Sequence, residues 1–470
     1  MRRAESSNEC VDAEAPTTAP VDVRLLESSY SDKRAGFRTL FLMVMAALAI
    51  RLIVMGFVYT EQLLPMHDHF KFGFETGRIA RSIVQGEGFS SPLFEKTGPT
   101  AWMTPVYPYI VAGFFKVFGV YTKPAALAVL SFNALTSALT CLPIFFFARK
   151  SFGTYVAKWA AWTWAFFPYA IYFPLDRIWE TWLATLLFSL LFLIALKLED
   201  TDRISAWVGT GLLWGLAALT SATVLSVLPF LQARISYLRH KQRRRWLAPN
   251  VALGLALVVV VSPWAVRNWR TFHTFIPFRG NMGLVLRLGT KGTTDYWEPS
   301  ELGPWQNAAE VQEFQRDGEL KYMANKKAQA ISFIKTHPGW YAWTTLRRVF
   351  FIWTGYWSLQ PWYLQLEHWD PANIVFSSTF TILALVGLRR AWVRHVDAAM
   401  SYTIMLVVFP LIYYITSPEF YYRRPLDPIM VVLAVYALIP SRRLDKLPTV
   451  EDRLRVSDYD ALEPEMAEQV

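Results

Sequence analysis

The sequence predicts an all-α polytopic membrane protein of about ten transmembrane helices, with amphipathic helices in its outer loops. Three observations carry this reading. Hydrophobic residues make up 53 % of the 470-residue chain and charged residues only 18 %, against about 25 % charged in soluble domains. Phe, Trp and Tyr number 33, 20 and 21, and mean hydropathy is positive at +0.24; that aromatic load suits belts at two membrane interfaces. Apolar runs of helical length also recur along the chain, flanked by Lys and Arg. Collagen, disulfide scaffolds, solenoids and wholesale disorder are excluded by composition.

The elements follow in order. Residues 1–36 are polar and are read as a disordered cytoplasmic tail. The first span covers about 39–59, long enough for roughly 30 Å of hydrocarbon. Arg51 interrupts it; a charge at that depth is costly and is expected to face the protein interior, snorkelling to the interface being the alternative. Residues 60–120 are too polar for a simple span. They combine helical apolar spacing at Phe72, Ile79 and Ile83 with Gly- and Pro-rich loops and a short apolar piece at 106–118. This is the first extracytoplasmic loop, built from helices that lie on the membrane or dip into it.

Further spans are expected at roughly 124–148, 155–174, 178–197, 206–220, 222–237 and 249–265. Residues 266–340 form a second large outer segment. The aromatic piece 341–357 is interfacial or one arm of a hairpin, and final spans cover about 372–388, 398–416 and 428–440. Together 37–440 form one membrane module, with 441–470 a cytoplasmic tail. The basic loop Arg239–Arg245 and the clusters at 389–394 and 442–446 set the cytoplasmic side by the positive-inside rule. That rule also absorbs the net charge of +10, so no nucleic-acid partner is implied. Cys10 and Cys141 cannot build a disulfide framework. No internal repeat of the kind that builds many transporters is evident.

Polar residues of the expected outer face gather in four places: His67, Asp68, His69, Lys71 and Glu75; Asp176, Arg177 and Glu180; Arg267, Asn268, Arg270, Arg279 and Arg287; and Glu419, Tyr422, Arg423, Arg424 and Asp427. Guanidinium forks bind phosphate bidentately, and a carboxylate can remove a proton from an acceptor hydroxyl. A substrate with a phosphate head and a lipid tail would use the arginines and the membrane together. Blander readings stand beside these. The arginines could anchor helix ends at headgroups, Glu75 could pair with Arg78 or Lys71 along a helix, and Asp176 could cap one. His67-Asp68-His69 lacks the i, i+4 spacing of a helical metal site. No metal or other cofactor is called, and a divalent metal stays open.

Several segments resemble the GT-C superfamily of membrane glycosyltransferases, in the branch of glycosyltransferase family 39 and the lipid A aminoarabinose transferases. FETGRIARSIVQGEGFSSP is similar to that family's acidic, Ala-rich helix ending in Gly. TGPTAWMTPVYPYIVAGFFKVFGVY is similar to its Pro-Tyr-Pro loop and Phe-Gly turn. SPWAVRN resembles its Pro-Trp…Arg-Asn element, and YYRRPLDP the Arg/Tyr–Pro motif that opens the last span. The family usually begins its first loop with Asp-Glu, a pair this chain lacks there. The resemblance implies an inverting enzyme that moves a sugar from a polyprenyl-phosphate donor to the hydroxyl of a glycan, lipid or protein at the outer face of the plasma membrane. It implies Glu75 as catalytic base, with Asp68 second, and Arg177, Glu180, Asp176, Arg267, Tyr422, Arg423 and Arg424 as donor-binding residues. The rival reading is a transporter or flippase of lipid-linked sugars; a third is a membrane assembly protein without a ligand.

Overall fold

In the computed structural model, the described residues are 23–62, 72, 74–93, 96–290, 303–304, 307–358, 360–366, 368–416 and 420–440. Among them there is no strand, and the one bridge joins Ser90 to Pro99. Residues 1–42 and 43–470 are separate compact units, and the account below concerns the second. The first helix, α1 (Val23–Gln62), begins inside the segment that the sequence reads as an unstructured tail. The tail expected at 441–470 lies outside the described residues.

Among the described residues, five stretches are long and apolar enough to cross a membrane: Arg38–Phe57, Lys123–Asp176, Thr181–Leu198, Leu247–Phe272 and Asp370–Val393. Three apolar helices are shorter, Val106–Phe118, Ile204–Thr220 and Ala399–Ile415. Two of the spans expected from sequence fall within the single stretch 123–176. The one expected at 222–237 is a 3-10 turn, Ala222–Val227, followed by a helix of mixed polarity that ends in Arg239, His240 and Lys241. Length and composition thus mark five apolar stretches among the described residues, one of them long enough for two spans, and do not confirm the count of about ten.

Arg51 of α1 is buried, as its depth demands. Its guanidinium donates to Ser137 Oγ (3.0 Å) and to the carbonyls of Ala47 (2.7 Å), Ala165 (3.1 Å) and Trp164 (3.3 Å). The Ala165 and Trp164 carbonyls lie at the C-terminal end of the helix that ends at Ala165, where backbone acceptors lack full intrahelical pairing, and the guanidinium is thereby hydrogen-bonded at depth.

After α1 come α2 (Glu75–Val84) and α3 (Val106–Phe118), which pack on each other in the first loop. Then follow α4 (Lys123–Leu139), α5 (Cys141–Ala165) and α6 (Pro168–Asp176). Thr122 caps α4, its Oγ1 accepting the Ala125 N–H at 3.2 Å. Gly153, at φ 87, divides α5 into two rods. Next are α7 (Thr181–Leu198), α8 (Ile204–Thr220), α9 (Leu228–Lys241) and α10 (Leu247–Phe272). α8 and α10 approach closely because Gly211 has no side chain: a Cβ there would lie 2.2 Å from the Leu253 carbonyl oxygen. Small residues let helix backbones meet in this way in membranes.

The next elements are α11 (Met282–Leu288) and α12 (Ala308–Thr336), the latter capped by Asn307 and broken at Gly318. The rest is α13 (Pro338–Thr354), α14 (Pro361–Leu366), α15 (Asp370–Val393), α16 (Ala399–Val408), α17 (Leu411–Ile415), a 3-10 turn at Phe420–Leu426 and α18 (Asp427–Leu438). α18 is buried from Asp427 to Tyr436 and packs between α15 and α5. The aromatic stretch 341–357 is thus a helix for most of its length.

Candidate active site

The chain has a cavity of about 560 Å³, within the usual size range for small-molecule sites. Its walls come from helix ends gathered at one end of the bundle. They are the start of α2, the turn before α7, the 3-10 turn after α8, the loop before α11 and α11 itself, and the second 3-10 turn with α17. Short connections make α7 and α8 antiparallel, so the N-terminus of one and the C-terminus of the other fall on the same side.

Four of the residues expected from sequence meet here: Glu75, Arg177, Glu180 and Tyr422. Glu75 opens α2 directly after Phe74, whose φ of 48° and ψ of −107° lie outside the regions a bulky residue ordinarily occupies. Held backbone strain of this kind often marks a functional position. Glu180 stands at the residue before α7, its side chain making no capping hydrogen bond. Both carboxyls stand half-buried at the cavity wall, and both are pushed above the ordinary carboxylate range, chiefly by burial. For Glu75 its own backbone N–H and the cations of Arg78 and Arg279 oppose the rise, while Glu180 adds to it. For Glu180 the opposing groups are Arg279 and its own backbone N–H. A single guanidinium therefore faces two carboxylates.

Arg177 lies over the Trp179 ring at 5.2 Å and sits 3.5 Å from Asp176 Oδ2. Asp176 ends α6 and accepts a long hydrogen bond of 3.4 Å from the Tyr172 hydroxyl; it stands behind Arg177 and does not line the cavity. The Tyr422 ring stacks on Tyr413 at 4.8 Å. Trp102, Trp179 and Phe74 complete an aromatic wall, and Ser221, Thr223 and Ser226 bring hydroxyls from the 3-10 turn.

The other three arginines expected on the donor are committed elsewhere. Arg267 donates to the carbonyls of Thr100 and Phe89, both at 2.6 Å, and packs over Trp264 at 5.0 Å. Arg423 donates to the Ile352 and Trp353 carbonyls at 2.9 and 3.1 Å. Arg424 donates to Asp427 at 3.1 Å and lies over the Tyr169 ring at 3.7 Å. None of the three lines the cavity. They saturate backbone carbonyls and ion-pair partners that a buried turn would otherwise leave unsatisfied. Asp68 lies outside the described residues. Among the described residues no group of three or more His, Cys, Asp or Glu side chains could hold a metal.

Arg279 is the residue that sequence reasoning passed over as a site. It appears there among several outer arginines, and nothing in its spacing separates it from Arg287. Yet Arg287 turns to Thr290 Oγ1 at 3.2 Å, whereas Arg279, braced by Asn281 Oδ1 at 2.8 Å, lines the cavity.

Comparisons with known proteins agree with this architecture. Residues 102–266 match the family model described as dolichyl-phosphate-mannose-protein mannosyltransferase. No curated protein matches the sequence. The oligosaccharyltransferase AglB of Archaeoglobus fulgidus, solved with an inhibitory peptide and a dolichol-phosphate, is 15 % identical. It superposes with a TM-score of 0.52 over 92 % of this chain and 52 % of its own. The same organism's enzyme tethered to an acceptor peptide containing an NVT sequon gives 13 % identity and a TM-score of 0.51, over 89 % and 51 %. ArnT from Cupriavidus metallidurans bound to undecaprenyl phosphate gives 13 % and 0.36, over 84 % and 77 %. The chain thus spans about half the length of the archaeal enzyme. The all-helical layout, the apolar spans and the superposition on the archaeal enzyme make this chain a membrane protein that shares the fold of that oligosaccharyltransferase.

Proposed function

We propose that the chain is a glycosyltransferase that takes a sugar from a polyprenyl-phosphate donor, with inversion, and that this cavity is its active site. The observation that carries the reading is the meeting of Glu75, Glu180, Arg177 and Arg279 in one aromatic-walled cavity. The family model matched by residues 102–266, and the dolichol-phosphate held by an enzyme of the same fold, support it.

In the proposed step the acceptor hydroxyl oxygen attacks the anomeric carbon while the Glu75 carboxylate takes the hydroxyl proton. The bond from the anomeric carbon to the phosphate oxygen breaks, and the polyprenyl phosphate departs with the electron pair. Arg177 and Arg279 neutralise the charge that grows on it, the kind of pre-oriented electrostatic stabilisation that is usually the largest catalytic contribution. The guanidinium groups supply positive charge where the leaving phosphate needs it. A raised pKa makes Glu75 a stronger base once ionised. Glu180, facing the same Arg279, orients sugar hydroxyls. The aromatic rings cover the sugar's apolar face and the first isoprene units. The basic loops place the opposite end of the bundle in the cytoplasm, so the cavity opens toward the exterior of the plasma membrane.

The test is a radiolabelled transfer assay on the purified full-length protein with a panel of polyprenyl-phosphate sugars. Release of polyprenyl phosphate together with labelled acceptor supports the reading. Movement of intact donor across a vesicle bilayer without release supports the transporter instead.

A further inference from the structure

Glu319 is a buried carboxylate that the proposed chemistry leaves unused. It follows the break in α12 at Gly318 and reaches back to the first loop, 218 residues earlier in the chain. Oε1 accepts the Ala101 N–H at 2.8 Å, and Oε2 accepts the Thr100 hydroxyl in a close contact. Thr100 Oγ1 in turn accepts the Trp102 N–H at 3.0 Å. The Ala101 carbonyl accepts the Gly280 N–H at 2.7 Å, and the Thr100 carbonyl accepts from Arg267. Three consecutive backbone units, 100–102, are thereby held from α10, α12 and the loop before α11 at once. Thr100 and Ala101 are fully buried and Glu319 is 6 % exposed. The two chain neighbours of this clamp are cavity residues: Trp102 follows Ala101, and Arg279 precedes Gly280.

We propose that Glu319 is a positioning residue that sets Trp102 and Arg279 at their cavity stations, and so tunes affinity for the lipid-linked phosphate. The proposal rests on the reading of the cavity as a phosphate site. Glu319 touches no reacting atom; it acts through the backbone of 100–102. A charged acceptor strengthens each of its hydrogen bonds, and loss of that charge loosens both. Burial raises the Glu319 pKa to about 7, against the pull of the Thr100 hydroxyl, the Ala101 N–H and Arg267. Arg267 of α10 is the charged group that faces it, and Arg267 also faces the Tyr109 hydroxyl of α3. As pH falls through about 7 the carboxylate protonates, and phosphate affinity falls with it.

The experiment measures the dissociation constant of the full-length protein in nanodiscs for undecaprenyl phosphate between pH 5.5 and 8.5. Wild type is compared with Glu319→Gln and Thr100→Val, and backbone amide exchange is followed in parallel. Wild-type affinity should weaken about tenfold on the acid side, the scale of one charge-assisted hydrogen bond. Glu319→Gln should bind weakly and without that pH step, with faster exchange confined to 99–104 and 279–282. Thr100→Val should move the same way by a smaller factor. Variants that bind and exchange like wild type would overturn the proposal, as would faster exchange throughout the chain, which marks a merely structural role. If wild type binds no polyprenyl phosphate at all, the functional reading fails, and local exchange in the variants still decides whether the clamp exists.

Discussion

Arg279 faces both Glu75 and Glu180, and this arrangement makes the site testable residue by residue. Glu75 must be ionised to act as base, and its pKa stands above the ordinary carboxylate value, so turnover should fall as pH drops through that raised pKa. Removing the neighbouring charge in Glu180→Gln should move the acid limb to lower pH, because Glu180 is what pushes Glu75 further up. Removing the shared cation in Arg279→Ala should move the limb to higher pH and slow the chemical step. A pH–rate series on the three proteins checks both signs. Asp176, grouped with Arg177 and Glu180 in the sequence, should behave differently: Asp176→Asn reaches the cavity through Arg177, and its effect should be smaller than that of Arg177→Ala. The carboxylates at 75 and 180 and the arginine at 177 were legible in the sequence because acidic and basic residues recur at helix ends there. What linear spacing could not reveal is which arginines face the cavity. Arg267, Arg423 and Arg424 look equally available, yet buried carbonyls and Asp427 hold them. That depends on long-range partners such as Ile352, some 71 residues from Arg423.

At the scale of elements, the close helix contacts fix where the cavity walls stand. A Cβ at Gly387 of α15 would lie 2.0 Å from the Leu433 carbonyl oxygen of α18. Gly387→Ala should therefore force the two helices apart and cost about 1–3 kcal/mol, the usual penalty for overpacking, read as a lower midpoint in detergent thermal unfolding. The turn before α18 carries a second prediction. Asp427 is 1 % exposed and pairs with Arg424 at 3.1 Å, with Arg423 Nε 3.5 Å away. Asp427→Ala leaves two buried guanidinium groups without their carboxylate. Breaking a buried pair in this way costs about 3–5 kcal/mol, so the variant should purify poorly or melt well below wild type. Apolar run length predicted α7, α10, α15 and the apolar stretch Arg38–Phe57 of α1 well, but not the start of α1 at Val23. It failed at 222–237, where Pro229 and the hydroxyl-rich Ser221–Ser226 stretch favour a tight turn, and that turn became a cavity wall.

At the scale of the whole molecule, the helices act as a frame that brings seven chain segments to one cavity. Order and spacing of the segments carried the superfamily resemblance, and the architecture agrees with it because that order determines which helix ends meet. The segment read from sequence as a second outer loop contributes more than a cover: Arg279 and α11 form part of the wall, while Glu319 of α12 holds the Ala101 backbone behind it. The most direct measurement of the central claim is single-turnover transfer from a radiolabelled polyprenyl-phosphate sugar, comparing wild type with Glu75→Gln at saturating donor. Loss of a general base predicts a rate about 10²–10⁴-fold lower, with donor affinity and thermal midpoint close to wild type. A Glu75→Gln protein that transfers sugar at the wild-type rate would contradict the account.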